Sequence, residues 1–267
     1  MRILFVGDVI GRPGRRALRA LLPGIKESYG ADFCIANGEN AAAGKGITEK
    51  VAQEMFSCGV DVITSGNHIW DRKEGISYVQ AESRLLRPAN YPPGVGGIGY
   101  GTFQSRSGVP VGVINLQGRT FMPATDCPFR TALCILEEMD VPVKVVDFHA
   151  EATSEKVAMG WFLDGKVSAV VGTHTHVQTS DERVLSKGTA YITDVGMTGA
   201  MDSVIGFKKE VALRRFLTQL PMRYEPAEGD VWLCGVAVDV DEGTGRAVSI
   251  VRIREGPREG CIPNFGS

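Results

Sequence analysis

The chain has 267 residues, an apolar content of 43% and a formal net charge of −2. This composition is typical of a globular protein with a substantial core, and the charge gives no reason to expect general affinity for nucleic acid or membranes. No apolar run has the length of a membrane span, and Asp8 interrupts the first run too early for a signal peptide. We therefore expect a cytoplasmic protein.

The first part of the sequence alternates short apolar strands with helices. Strands are predicted at 3–6, 32–36 and 60–64, and helices at 15–29, 48–58 and 72–80. Thr48 belongs to the residue types preferred at a helix N-cap. Residues 87–97 then contain three prolines and three glycines, which predicts an irregular loop and a candidate hinge or lid.

The remainder of the chain continues this alternation with one change. Strands near 99–105 and 110–116 follow each other without a helix, so we expect them to be antiparallel. The later elements are a helix at 128–139, a strand at 143–147, a helix at 153–163, strands at 167–171, 182–185 and 189–193, a helix at 207–219, and strands at 231–240 and 246–253. Because no repeat or long linker interrupts the pattern, a single domain over 1–267 is predicted.

Five of the apolar strands end in side chains that could bind a metal. These side chains are Asp8, Glu39, Asn67 with His68, His149, and His174 with His176. All four histidines of the chain fall at these positions, which core histidines would have no reason to prefer. In open α/β sheets the functional crevice lies at the carboxyl ends of the strands. Side chains two residues apart in an extended segment share a side, so His174 and His176 can converge.

The number of candidate ligands distinguishes one metal from two. A catalytic zinc site typically uses three protein ligands and an open position. Two carboxylates, up to four imidazoles and the amide oxygens of Asn40 and Asn67 exceed that number. They suit two ions about 3.5–4 Å apart, bridged by a carboxylate and a hydroxide. The mixture of nitrogen and oxygen donors favours iron, manganese or zinc over magnesium or calcium.

At these residues the chain resembles the calcineurin-like metallophosphoesterases. The resemblance rests on Asp8, on segments 38–40 and 66–68, on His149 and on segment 172–176, in that order. Segments 7–15 and 194–199 are similar to the YmdB-like subfamily in particular. The resemblance covers nearly the whole chain. It implies an α/β fold of two mixed β-sheets packed as a sandwich and flanked by helices, a four-layer αββα arrangement with the metals at the sheet edge.

The resemblance also implies how the ligands divide between two metals. One ion would be bound by Asp8, Glu39, Asn40 and His176, and the other by Glu39, Asn67, His149 and His174, with Glu39 as the bridge. Two features depart from most of the superfamily: Ile10 replaces the histidine of a D-x-H motif, and segment 38–40 replaces G-D-x-x-D/N. His68 would protonate the departing oxygen, as the corresponding residue does in the family. The alternative for His68 is a hydrogen-bonding role around the metals.

The ligand set indicates a two-metal phosphoesterase. The resemblance narrows this to a phosphodiesterase for cyclic nucleotides such as 2′,3′-cAMP, acting through a metal-bridging hydroxide. One alternative is a phosphomonoesterase or other two-metal hydrolase, since the same metals activate water for many electrophiles. Another is a metal-stabilised regulatory protein that binds RNA or a partner. The sequence leaves open the physiological substrate, the native metal and a homo-oligomeric state.

Several charged residues near the predicted site have open roles. Four arginines, at positions 12, 15, 16 and 19, share one helical face, which is either simply solvated or a rim that attracts phosphate or RNA ends. Asp147 and Glu151 flank His149 and are expected to point away from it in structural roles. Asp194 ends a strand, where it either holds a histidine or caps a turn.

Overall fold

Short strands and amphipathic helices alternate along the chain, which is described for residues 1–256 by a computed structural model. The strands are β1 Arg2–Val6, β2 Asp8–Val9, β3 Phe33–Asn37, β4 Val62–Thr64, β5 Tyr100–Gln104, β6 Pro110–Gln117, β7 Val143–His149, β8 Ala169–Thr173, β9 Arg183–Val184, β10 Ala190–Ile192, β11 Met197–Ala200, β12 Val231–Val240 and β13 Ala247–Glu255. The helices are α1 Gly11–Tyr29, α2 Glu49–Ser57, α3 Ile76–Ala81, α4 Pro128–Glu138, α5 Thr153–Leu163 and α6 Lys209–Thr218, and a 3-10 helix spans Lys73–Gly75. Across residues 1–256, none of these helices combines the length and apolar character needed to cross a membrane.

The strands form two mixed sheets. The first has the order β2-β11-β12-β1-β3-β4, with β13 also paired to β12. Its strand β1 runs parallel to β3 and antiparallel to β12. The second sheet has the order β5-β6-β7-β8-β10-β9, in which the four inner strands are parallel and the two edge strands are antiparallel. The predicted antiparallel pairing of 99–105 with 110–116 is therefore confirmed.

Three clusters of buried apolar side chains define four layers. Between the sheets, Phe5 of the first packs in one cluster with Val113 of the second. The outer face of the first sheet is covered by α1 and α2, with Leu22 in its core. The outer face of the second sheet is covered by α4 and α5, with Ile135 and Met159 in its core. This arrangement confirms the predicted α/β sandwich of two mixed sheets flanked by helices.

Helix α1 begins four residues earlier than the sequence predicts, at Gly11 instead of position 15. Pro13 is tolerated there because the first turn of a helix leaves its N–H groups unpaired in any case. Gly14 faces the carbonyl of Thr198, where a Cβ would collide with the oxygen. Segment 11–14 is therefore the first turn of the helix and is packed directly on β11.

Loop 87–97 is irregular, as predicted, but its own side chains hold it in place. The guanidinium of Arg87 donates to the carbonyls of Pro88 at 2.8 Å, Val95 at 3.0 Å and Gly96 at 3.1 Å. The buried amide of Asn90 donates to the carbonyl of Gln117 at the end of β6. These bonds give the loop an internal framework and anchor it to the sheet at Asn90, and its role as a hinge or lid stays a prediction.

Candidate metal centre

The carboxyl ends of strands from both sheets meet at one end of the sandwich. The first sheet brings Asp8, Glu39, Asn40 and Asn67, and the second brings His149, His174 and His176. Polar contacts join the sheets at this end: Asn37 donates to Asp147 at 3.0 Å, and the Ser65 N–H donates to Asn115 at 2.9 Å. The site therefore lies where the carboxyl ends of strands from the two sheets come together.

Glu39, His149 and His174 form the tightest group of predicted ligands. Their donor atoms lie within 4.8 Å of one another. The Nε2 atom of His149 is 3.1 Å from Oε1 of Glu39, 3.0 Å from Nδ1 of His174 and 3.3 Å from Oδ1 of Asn67. A Cβ at Gly66 would overlap the His149 ring, so this close approach requires glycine there. The structure thus brings together the four residues predicted to share one metal.

Asp8, Asn40 and His176 form a second group beside the first. The Oδ1 atom of Asp8 is 3.9 Å from Nε2 of His176 and 3.9 Å from Nδ1 of His149. Two oxygens, Oδ1 of Asp8 and Oδ1 of Asn40, are buried and have no hydrogen-bond partner within residues 1–256. Unpaired buried oxygens cost free energy. A carboxylate and an amide oxygen in this state fit a bound cation, which would satisfy both.

An extended segment was expected for the two histidines after β8, and this expectation is wrong. His174 has a φ of 96° and His176 a φ of 65°, both in the left-handed region that L-residues rarely adopt. The Nδ1 atom of His176 donates to the carbonyl of Ile205 at 2.9 Å. This bond places the proton on Nδ1 and leaves Nε2 with a lone pair for a metal.

Asp147 and Glu151 were expected to point away from His149, and for Asp147 this expectation is wrong. The Oε2 atom of Glu151 lies 3.1 Å from Nε2 of His174. Asp147 accepts the hydroxyl hydrogen of Thr173 at 2.7 Å, and that hydroxyl oxygen lies 2.9 Å from Nδ1 of His149. Asp147 is two residues before His149 on β7, so the two side chains share a side of the strand. The alternation of side chains along a strand could therefore have identified Asp147 as a neighbour of His149 from the sequence.

Burial and mutual charge set the protonation of this cluster. Burial opposes ionisation of Glu39, but the charge and hydrogen bond of His149 outweigh it and lower the pKa of Glu39 to about 2. Burial disfavours the charged form of His149, yet Glu39 outweighs burial and raises its pKa to about 9. Burial, reinforced by His149, lowers the pKa of His174 to about 3. His174 is therefore a neutral imidazole and Glu39 a carboxylate, the forms in which both bind metals.

Asp8 has the opposite shift from Glu39. Its burial raises the pKa of the carboxyl to about 7, although the nearby charges of His176 and His149 act to lower it. A bound cation favours the charged form of a neighbouring carboxylate. The buried carboxylate of Asp8 is thus suited to a bound cation.

His68 lies at the edge of the cluster and is partly exposed. Its backbone N–H donates to Oε2 of Glu39 at 3.1 Å, and its Nδ1 is 3.0 Å from Oδ2 of Asp71. The imidazole is therefore outside the group of donor atoms shared by Glu39, His149 and His174, while its backbone is tied to that group.

Two of the four arginines on α1 connect helices. Arg15 and Arg19 both pair with Glu54 of α2, at 2.8 and 2.6 Å, and Arg15 also donates to the carbonyl of Ala41. Arg12 and Arg16 are exposed. Half of the predicted arginine face therefore has a structural role.

Comparison with known proteins gives a consistent result over the whole chain. A family model described as YmdB-like protein matches residues 4–253. The 2′,3′-cyclic-nucleotide 2′-phosphodiesterase of Bacillus subtilis is 52% identical over 95% of this chain and 96% of its own length. A crystal structure of a hypothetical protein from Thermus thermophilus has a TM-score of 0.91 at 44% identity, covering 97% of this chain and 100% of that one.

A second crystal structure, of a novel phosphatase from Mycoplasma pneumoniae, has a TM-score of 0.90 at 36% identity and covers 96% of this chain and 93% of that one. These relatives confirm the predicted fold and the prediction of a hydrolase enzyme. The metallophosphoesterase fold implies divalent metals, and the cluster of Glu39, His149 and His174 could hold one. The chain belongs to the YmdB-like protein family.

Proposed function

We propose that the chain is a two-metal phosphodiesterase that hydrolyses 2′,3′-cyclic nucleotides. The observation that carries this proposal is the 52% identity, across 95% of the chain, to a protein named for that activity. The convergence of buried carboxylate, amide and imidazole donors from both sheets supports it independently.

Seven residues would hold the two ions. We assign Asp8, Asn40 and His176 to one ion, Asn67, His149 and His174 to the other, and Glu39 to both. This mixed nitrogen and oxygen donor set suits iron or manganese, with zinc as a third candidate. Such a metal pair, when bound, lowers the pKa of a water molecule and stabilises charge on the phosphoryl oxygens.

Neighbouring groups orient the ligands for this task. Thr173 donates its hydrogen to Asp147, so its oxygen accepts the Nδ1 proton of His149. A metal would then take the place of the proton on Nε2, which the raised pKa of His149 otherwise keeps there. The carbonyl of Ile205 likewise accepts the Nδ1 proton of His176. Such hydrogen-bond partners of ligating histidines fix the tautomer and the ring orientation. The three groups support a site that is preorganised for metals.

His68 is the proposed proton donor. Opening a 2′,3′-cyclic phosphate releases the sugar 2′ oxygen, which is a poor leaving group unless it receives a proton. Glu39 holds the backbone N–H of His68, and Asp71 lies at its Nδ1. With Nδ1–H donating to Asp71, a ring protonated on both nitrogens would transfer the Nε2 proton to the departing oxygen. The partial exposure of the ring is compatible with contact to a substrate that arrives from solvent.

A phosphomonoesterase is the second candidate, because the similar Mycoplasma pneumoniae structure is named as a phosphatase. The two activities need the same metals and differ in whether the phosphorus carries a second ester. Hydrolysis of the cyclic diester leaves a phosphate group on the nucleoside, whereas hydrolysis of a monoester releases inorganic phosphate.

The proposal is tested with full-length protein purified without a chelator. It is incubated with 2′,3′-cAMP or with 3′-AMP, in added manganese or in excess chelator, and products are separated by chromatography. We expect 2′,3′-cAMP to yield a single adenosine monophosphate, the 3′ isomer, and to do so only with metal. Release of inorganic phosphate from 3′-AMP without opening of the cyclic substrate would favour the phosphatase. Chelator-resistant turnover would contradict the metal-dependent proposal.

A further inference from the structure

Lys156 is a buried lysine that the proposed reaction does not use. It lies on α5 with 1% of its surface exposed, and its Nζ atom donates to Oδ2 of Asp194 at 2.8 Å and to Oγ1 of Thr175 at 3.2 Å. Asp194, at the end of β10, is fully buried. Burying two charges is costly, and an apolar pair of similar shape often gives equal or greater stability. We therefore looked for a role of the Lys156–Asp194 ion pair other than stabilising the fold.

The carboxylate of Asp194 joins the two halves of the metal centre. Its Oδ2 atom accepts the N–H of Thr175 at 3.1 Å and the hydroxyl of Thr175 at 2.6 Å. Its Oδ1 atom accepts the N–H of Gly196 at 2.8 Å. The carbonyl of Gly196 in turn accepts the N–H of Asp8 at 3.1 Å. One side chain thus fixes both the segment after β8 and the strand that begins with Asp8.

Thr175 lies between two predicted ligands whose backbone conformations are unfavourable. His174 and His176 both have positive φ values, and such conformations persist only where the surroundings hold them. Thr175 is bound by Asp194 at its amide and its hydroxyl, and by Lys156 at the hydroxyl oxygen. The pair therefore anchors the residue between the two histidines, while Asp8 and Ile205 contact the histidines themselves.

Gly172 leaves room for this arrangement. A Cβ at Gly172 would overlap the carbonyl of Thr193 and would lie 3.1 Å from Cδ of Lys156. Strands β8 and β10 and the lysine stem can therefore approach one another only with glycine at this position. The glycine that precedes the histidine motif is therefore required first by the close approach of the Thr193 carbonyl, with the Lys156 stem packed beside it.

We propose that Lys156 and Asp194 are positioning residues, which act through Thr175 to hold His174 and His176 in the geometry that binds metal. The inference rests on the proposed two-metal site. The ammonium group of Lys156 also neutralises Asp194, so that this carboxylate stays bound to Thr175 and Gly196.

The test measures metal affinity, without reference to activity. Manganese binding to full-length Thr175→Val, Thr175→Ser and Lys156→Met is followed by titration calorimetry and by the EPR spectrum of the bound ion. Thr189→Val is the matched control, because it likewise removes a threonine hydroxyl. This one is buried at the far end of β10, where it donates to the carbonyl of Val167 at 2.7 Å. The thermal midpoint of each chelator-treated variant reports on folding.

We expect Thr175→Val and Lys156→Met to bind manganese about 10- to 100-fold more weakly, as losses of such partners usually do. Thr175→Ser should restore the affinity, and Thr189→Val should lower the thermal midpoint without weakening metal binding. Wild-type affinity in Thr175→Val would overturn the inference, and so would an equal loss in Thr189→Val. If Lys156→Met does not fold, Thr175→Val decides. Failure of the wild-type protein to bind manganese would count against the proposed function as well, whereas unaffected variants count against this inference alone.

Discussion

The Oδ1 atom of Asp8, from the first sheet, lies 3.9 Å from the Nε2 atom of His176, which follows the second sheet. Both side chains are buried, and this oxygen has no hydrogen-bond partner anywhere in residues 1–256. The imidazole is turned by its bond to Ile205 so that Nε2 has a free lone pair. The distance between this oxygen and this nitrogen is too long for a hydrogen bond. Both atoms have a free lone pair, so both could bind the same cation.

Removal of metal should lower the stability of the fold. A ligand that binds only the native state adds about 2.7 kcal/mol when its free concentration is 100 times its Kd. We expect the thermal midpoint to fall on treatment with chelator and to recover on addition of manganese. Asp8→Ala should shrink this difference, since it deletes a predicted ligand. Equal midpoints with and without chelator would show that the ligand cluster is held without metal.

Glu39→Gln should weaken both metal sites together. Glutamine keeps the shape of the side chain but removes the charge and replaces one oxygen with a nitrogen that cannot bind a cation. Inductively coupled plasma mass spectrometry of protein purified without chelator measures the change. We expect close to two ions per wild-type chain and fewer than one in the variant. Asn67→Ala serves as the control, because it should affect only one ion. Retention of both ions in Glu39→Gln would remove Glu39 from the bridging role.

His68→Gln should reduce turnover of 2′,3′-cAMP by about 10²–10⁴-fold, the usual contribution of general acid catalysis. Turnover of bis-p-nitrophenyl phosphate should fall much less, because nitrophenolate departs without a proton. Metal content should be unchanged, since His68 contacts the cluster through its backbone N–H. Equal losses on the two substrates would argue against a proton donor. Loss of an ion would instead make His68 a metal ligand.

Arg15 and Arg12 should respond differently to the same substitution. Arg15→Gln breaks the ion pair with Glu54 and the bond to the carbonyl of Ala41, so we expect a loss of about 1 kcal/mol in the free energy of unfolding. Arg12 is exposed, and Arg12→Gln should change neither stability nor KM. Denaturant titration and steady-state kinetics check both. A several-fold rise in KM with a weaker salt dependence in Arg12→Gln would show that this face attracts phosphate.

Strand positions and the metal-binding chemistry at their ends could be predicted from the sequence because both are local. The alternation of apolar runs with glycine turns marks β1, β3 and β8, and ligands such as Glu39 and His149 come directly at or after a strand end. The sequence could not show which residues from distant segments contact each other in the fold. The left-handed residue His174 is followed by Thr175, whose N–H donates to Asp194 beyond a different strand.

Lys156 is a residue that the sequence could have revealed. It falls at helical spacing with Met159, Gly160 and Leu163, and these four residues form the buried face of α5. A lysine on such a face needs a buried partner. The identity of that partner depended on the packing of α5 against β8 and β10, which only the structure provides.

Anomalous diffraction at the iron and manganese absorption edges, from a crystal of protein purified without chelator, would test the two-metal site most directly. We expect two peaks, both within bonding distance of the Glu39 carboxylate. One peak should also contact Asp8 and His176, and the other His149 and His174. A single peak, or two peaks of which either lacks Glu39 as a ligand, would contradict the bridged two-metal centre.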